Sequence, residues 1–147
     1  MNDSLLNSVG LIEAEYAVCR KRVMDKHRLS AIEVDVLLFL ATHPAMKTAA
    51  DITDMLRVSK SHVSLAANHL TDIGLLTKTP DEKNRKRIFL NLTDQAQAVI
   101  KDATEEMDFL QKELYKGLTK KEKENLSAII DKVAANAEEA WQNRKHS

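Results

Sequence analysis

Apolar residues recur along the chain at alternating spacings of four and three in three places. The first stripe is Leu5, Val9, Ile12, Tyr16, Cys19 and Val23; the second is Ala96, Ile100, Ala103, Met107, Leu110 and Leu114; the third is Leu126, Ile130, Val133, Ala137 and Ala140. This alternation keeps side chains on one face of an α-helix, so each stretch predicts an amphipathic helix with a stripe to bury. Gly117 supplies a left-handed end for the second helix, and Thr119 with Glu122 forms a capping box that opens the third. With one such helix at each end of the chain and no intervening domain to cover them, pairing with a second copy about a two-fold axis is expected. A monomeric bundle would satisfy the same periodicity.

Between these stretches the pattern shortens. Ser30 and Glu33 have the spacing that caps a helix start, Val34, Leu37, Leu38 and Ala41 follow as its apolar face, and Pro44 ends it. Thr48 to Leu56 predicts a short helix with Ile52, Met55 and Leu56 inward. After the brief turn Arg57-Val58, Ser59 caps another helix that buries Val63, Ala66, Ala67, Leu70 and Ile73 and closes at Gly74. Two short helices joined by so tight a turn form a helix-turn-helix.

The period then changes to two, over Leu75 to Thr79 and again over Arg85 to Leu92, with the polar run Pro80 to Asn84 between them. This predicts a β-hairpin with Ile88, Leu90 and Leu92 on one side and Phe89 with Asn91 on the other. A hairpin directly after a helix-turn-helix is a wing. The fold class expected is mainly α with a small β-hairpin: one domain over 1–147, with a winged helix-turn-helix core at 30–93 and N- and C-terminal dimerisation helices at 1–28 and 94–147.

Composition narrows the partners. At 147 residues, 44% hydrophobic and 30% charged, the chain has the apolar material for one real core and is not a disordered sequence. Its longest apolar run, Val36 to Ala41, is too short to span a bilayer, and the polar start Met1-Asn2-Asp3-Ser4 is no secretion signal; a cytoplasmic protein without membrane partners is expected. The net charge of zero at first argues against a polyanionic partner, but it conceals a division. Thr48 to Thr93 carries seven bases against five acids, and four of the five residues from Lys83 to Arg87 are basic; Asp94 to Leu114 carries two bases against six acids. The middle segment is the one suited to phosphate.

The run Thr48 to Thr93 resembles the DNA-binding core of the MarR family of bacterial and archaeal regulators. The matching pieces are Val58-Ser59-Lys60-Ser61-His62-Val63-Ser64, Leu70-Thr71-Asp72-Ile73-Gly74-Leu75-Leu76 and the closing Leu90-Asn91-Leu92-Thr93, with Leu118-Thr119-Lys120-Lys121-Glu122 resembling the start of the last helix. Four positions depart from the family's pattern, among them Arg57 where the turn often has Gly and Ala96 in place of a Gly common after the Leu-Thr pair. Asn84-Arg85-Lys86 has Asn where an acid is usual at the wing tip, and Leu65 stands where relatives often carry a base.

The resemblance implies a homodimeric transcriptional regulator, a repressor, on near-palindromic double-stranded DNA. A major groove admits one α-helix, whose exposed face here carries Lys60, Ser61, His62, Ser64 and Asn68, while Lys83, Arg85, Lys86 and Arg87 of the wing suit phosphate or the minor groove. Regulators resembling this family also bind small apolar or phenolic effectors or sense oxidants through a cysteine. Tyr16, Phe39 and Phe109 read more simply as core residues than as the lining of an effector cleft. Cys19 lies on the first stripe, where a buried, inert thiol is the plainer reading beside an oxidant sensor. No spacing of Cys, His, Asp or Glu offers a metal site or cofactor, and no catalytic motif is present. The alternative to DNA binding is a winged helix used only to dock protein, which would leave the basic wing tip unexplained.

Overall fold

A computed structural model of the chain describes residues 3–147, with nothing said of the Asp3 side chain. Residues 1 and 2, part of the polar start and of the 1–28 segment, lie outside the described residues. Six helices and one hairpin follow in the order α1 (Asp3–His27), α2 (Ala31–Thr42), α3 (Ala49–Leu56), α4 (Lys60–Asp72), β1 (Leu76–Pro80), β2 (Ile88–Leu92), α5 (Ala96–Leu114) and α6 (Lys120–Lys145). The chain divides into two compact units, one up to Leu110 and one from Gln111 to Ser147. The boundary falls inside α5, whose first turns belong to the core of the first unit through Ala96, Val99 and Ala103.

Side-chain capping sets the helix starts. Ser30, Thr48 and Thr119 each accept a bond from the backbone N–H three residues on, and Glu33, Asp51 and Glu122 return the bond to the cap residue's own N–H. Ser59 caps α4 by accepting from His62 N at 3.2 Å. Arg57, between α3 and α4, adopts the left-handed conformation with φ of 55°, which allows the chain to turn within three residues.

The first unit is built around α2, which packs against α1, α4 and β2. Its predicted one-sided face, Val34, Leu37, Leu38 and Ala41, is too narrow. Val36, Phe39 and Leu40 are buried as well, because a helix enclosed by neighbours on several sides loses the amphipathic period. Ile52, Val63, Ala66, Ala67, Leu70, Leu76 and Leu90 complete this core. Three expected core residues turn outward: Met55 near the end of α3, Ile73 at the cap of α4 and Ile88 at the start of β2 are exposed. Each sits at the end of its element, where the last turn or first rung projects beyond the packed neighbours. Phe109, read from sequence as core, is also exposed, whereas Phe39 is buried and Tyr16 half-buried.

Polar contacts tie α1 to its neighbours in this unit. Tyr16 Oη donates to Asp35 Oδ1 and Arg20 Nη1 to Asp35 Oδ2, both at 2.6 Å, and burial followed by the Asp35 contact pushes the Tyr16 phenol well up. Arg22 reaches Glu106 at 3.1 Å, and Lys26 and His27 share Asp102 at 2.8 and 2.7 Å. The bond from Lys26, then that from His27, holds the Asp102 carboxyl below its usual range. Cys19 is 2% exposed. Its thiol is pushed up by burial first and by the Glu106 carboxylate second, which is the state of an inert structural thiol.

The strands pair antiparallel with Leu76 opposite Leu92 and Pro80 opposite Ile88. Leu90 N also donates to Lys47 O at 2.8 Å, and Phe89 bridges Thr48, so β2 is bonded to the residue that caps α3. Gly74, with φ of 84°, makes the turn from α4 into β1; a Cβ there would lie 2.7 Å from Gln95 Oε1.

In the second unit no residue of α6 is buried. Ile129, Ile130, Val133 and Trp141 are exposed, as are Leu5, Leu6, Val9 and Ile12 on the first half of α1. The first half of the predicted α1 stripe and most of the predicted α6 stripe are therefore exposed, while the second half of the α1 stripe, Cys19 and Val23, is buried in the first unit.

Candidate nucleic-acid interface

Helix α4 sinks Val63, Ala66, Ala67 and Leu70 into the core. The residues spaced three and four apart on the opposite ridge are Ser61, Leu65 and Asn68, all exposed. Lys60 and His62 lie on the two flanks of that ridge and border different grooves. Lys60 lines a cleft with Lys86, Arg87 and Ile88 of the wing and with Thr48 and Asp51, whereas His62 borders a shallow groove facing α2, with Ile32, Leu65 and His69. Ser64 is half-buried.

The wing tip is ordered by its own backbone. Asp81 N donates to Arg87 O at 2.8 Å, Arg87 N to Asn84 O at 2.9 Å, and Lys83 N to Asp81 Oδ1 at 2.9 Å. Asn84, standing where an acid was expected, accepts from Lys86 N at 3.3 Å. Lys83, Arg85, Lys86 and Arg87 are all exposed, and none of them forms an ion pair among the described residues. Arg87 lies over the Phe89 ring at 5.8 Å, which directs its stem along the hairpin. Arg85 faces a different side of the tip, with Pro80, Asp81 and Glu82. Of the nine residues marked in the sequence, then, Lys60, Lys86 and Arg87 share one cleft, Ser61 and Asn68 share the outward ridge, and Lys83 and Arg85 extend the cationic surface at the tip.

Three contributors were missed. Lys78 of β1 donates from Nζ to Asn68 Oδ1 and so links wing to helix; an exposed base in a strand carries no sequence signal of its own. Leu65 was noted only for the base it lacks. His69 Nδ1 donates to Glu33 Oε2, fastening α4 to the start of α2. Glu33 is 5% exposed. Burial alone would raise its carboxyl, but the bonds from His69 and from Ser30 N outweigh this and hold it below the ordinary value.

The arrangement is that of a double-helix reader: a helix whose outer ridge bears hydrogen-bonding groups, beside a tip of unpaired cations. Among the described residues no helix is long and apolar enough to cross a membrane, and no group of acids, His and Cys could hold a metal ion.

Comparison with known proteins agrees. Residues 29–96 match the family described as Winged helix DNA-binding domain. The HTH-type transcriptional regulator PecS of Dickeya dadantii (strain 3937) is 27% identical over 114 residues, 76% of this chain and 69% of that protein. The uncharacterized HTH-type transcriptional regulator YybA of Bacillus subtilis (strain 168) is 29% identical over 91 residues, which span 62% of this chain and 61% of that relative. The crystal structure of a MarR-family transcriptional regulator from Listeria monocytogenes complexed with 26mer DNA superposes with a TM-score of 0.87 at 20% identity, covering 100% of this chain and 97% of that one. Residues 29–96 thus match the winged helix DNA-binding domain family, and the chain shares the fold of the solved MarR-family transcriptional regulators.

Proposed function

We propose that this DNA-binding transcriptional regulator works as a homodimer in the cytoplasm, seating two α4 helices in successive major grooves of a near-palindromic operator and repressing by occupying it. The observation that carries the reading is the joining of ridge and wing. Lys60 shares a cleft with Lys86 and Arg87, and Lys78 bonds Asn68, so cations and hydrogen-bonding groups present themselves together. In this reading Ser61 and Asn68 meet base edges, and His62 and Ser64 lie at the margin of the contact. Lys60, Lys83, Arg85, Lys86 and Arg87 neutralise phosphate. The exposed apolar residues on the first half of α1 and those of α6 each offer surface to a second copy, as the domain division into 1–28, 30–93 and 94–147 expects. The role assigned is binding, with no catalytic step. Support comes from the solved relative held on 26mer DNA, whose fold this chain shares.

Filter binding to the DNA upstream of its own gene across a salt series tests the proposal. Arg87→Ala is expected to weaken binding to every sequence and to reduce the salt slope by about one unit. A wild-type protein indifferent to DNA at low salt would overturn it.

A further inference from the structure

We propose that Leu65 is a specificity-determining residue, reading the 5-methyl group of a thymine in the major groove. This rests on the assignment of α4 as the helix that enters the groove, and it deepens that assignment. Leu65 is 69% exposed on a helix whose other large apolar side chains, Val63 and Leu70, are fully buried. A single exposed leucine is ordinary on a protein surface; its surroundings are what give this one a partner. It stands in the middle of the outward ridge between Ser61 and Asn68, with Lys78 bonded to Asn68 and the wing's cations sharing a cleft with Lys60 at the start of the same helix. A docked protein would want a broad apolar patch. A leucine flanked along its ridge by a hydroxyl and an amide, on a helix edged by cations, instead fits a polyanion that carries a methyl-sized apolar spot.

In the major groove the base edges offer acceptors, amino donors and one apolar feature, the thymine methyl. Leucine has no group with which to satisfy a donor or an acceptor. Set against cytosine, guanine or adenine it would strip water from a polar edge and return nothing, so it selects thymine both by attraction and by exclusion. Lys78 sharpens the contrast. An ammonium can only donate, so its bond to Asn68 fixes the amide oxygen towards the wing and leaves the amide's N–H donors as what Asn68 offers a base edge on the same ridge as Leu65. On its other side Leu65 borders the shallow groove with Ile32, Ala66 and His69. A leucine that merely lined that groove would have no preference among bases.

The test begins with wild-type protein selecting sites from a randomised duplex pool. Each thymine of the resulting consensus is then replaced by deoxyuridine, which lacks only the methyl. At one thymine in each half-site the replacement is expected to weaken wild-type binding about fourfold, the factor for one methyl removed from water. Leu65→Ala, its folding checked by melting temperature, is expected to bind the thymine and deoxyuridine duplexes equally; Leu65→Met, still apolar, should retain the discrimination. Wild-type indifference to deoxyuridine at every thymine, or a Leu65→Ala protein that keeps the full penalty, overturns the proposal. A pool that yields no consensus instead overturns the operator reading beneath it, so the two failures are distinct.

Discussion

Glu33 shows how one residue can serve two elements. Its Oε1 accepts from Ser30 N at 2.8 Å to close the capping box of α2, and its Oε2 accepts from His69 on α4. Both bonds favour the charged form, which is why the carboxyl titrates below its ordinary value of 4.5 despite its burial. A carboxylate with a depressed folded pKa lends stability that is complete above its unfolded pKa and fades as pH falls through the folded one. Glu33→Gln keeps the cap geometry and removes the charge. It should therefore lower stability by about 1–2 kcal/mol at neutral pH, with the two proteins converging in acid below about pH 4.5. Urea unfolding of both across that range checks this, and parallel curves would mean that the charge contributes nothing.

At the scale of the element, the turn between α3 and α4 carries a conformational cost. Arg57 holds a left-handed φ of 55° that glycine adopts freely, and its guanidinium donates to Met55 O at 3.3 Å. Arg57→Gly should raise stability by about 0.5–1 kcal/mol, the relief of backbone strain exceeding the loss of the side chain's exposed contacts and the added freedom of the unfolded chain. Thermal unfolding reads the gain, and a loss would show that the side chain's contacts dominate. The same element scale shows what the sequence could and could not reveal. Ser30 with Glu33, Thr119 with Glu122, Gly74 and the change of period after it are local signals, and they marked the helix starts and the wing correctly. The burial of α2 on more than one face, and the outward turn of Met55, Ile73 and Ile88, depend on which elements surround them, and a one-dimensional pattern does not contain that. The candidate interface was legible to the same degree. Lys60, Ser61, Asn68 and the wing bases follow from being polar on a capped helix or a strand tip, whereas Lys78 and His69 matter through partners distant in sequence, ten and thirty-six residues away.

For the whole molecule the decisive fact is that α6 buries nothing within its own chain. Ile129, Ile130 and Val133 lie exposed on it, so a charge placed there leaves the core of the first unit untouched. If a second copy covers this face, Ile130→Glu should yield a monomer by light scattering and lose at least about tenfold in operator affinity, because the two half-sites are no longer engaged as one. The wild-type melting temperature should rise with protein concentration and that of the variant should not. A monomeric wild type would remove the dimer from the proposal. The bonds from β2 to the start of α3, Leu90 N to Lys47 O and the Phe89–Thr48 bridge, act at this scale too. They tie the hairpin to the start of α3 at two neighbouring residues. If the duplex bends so that two such grips close on one operator, sequences that flex easily between the half-sites will be favoured at positions no side chain touches.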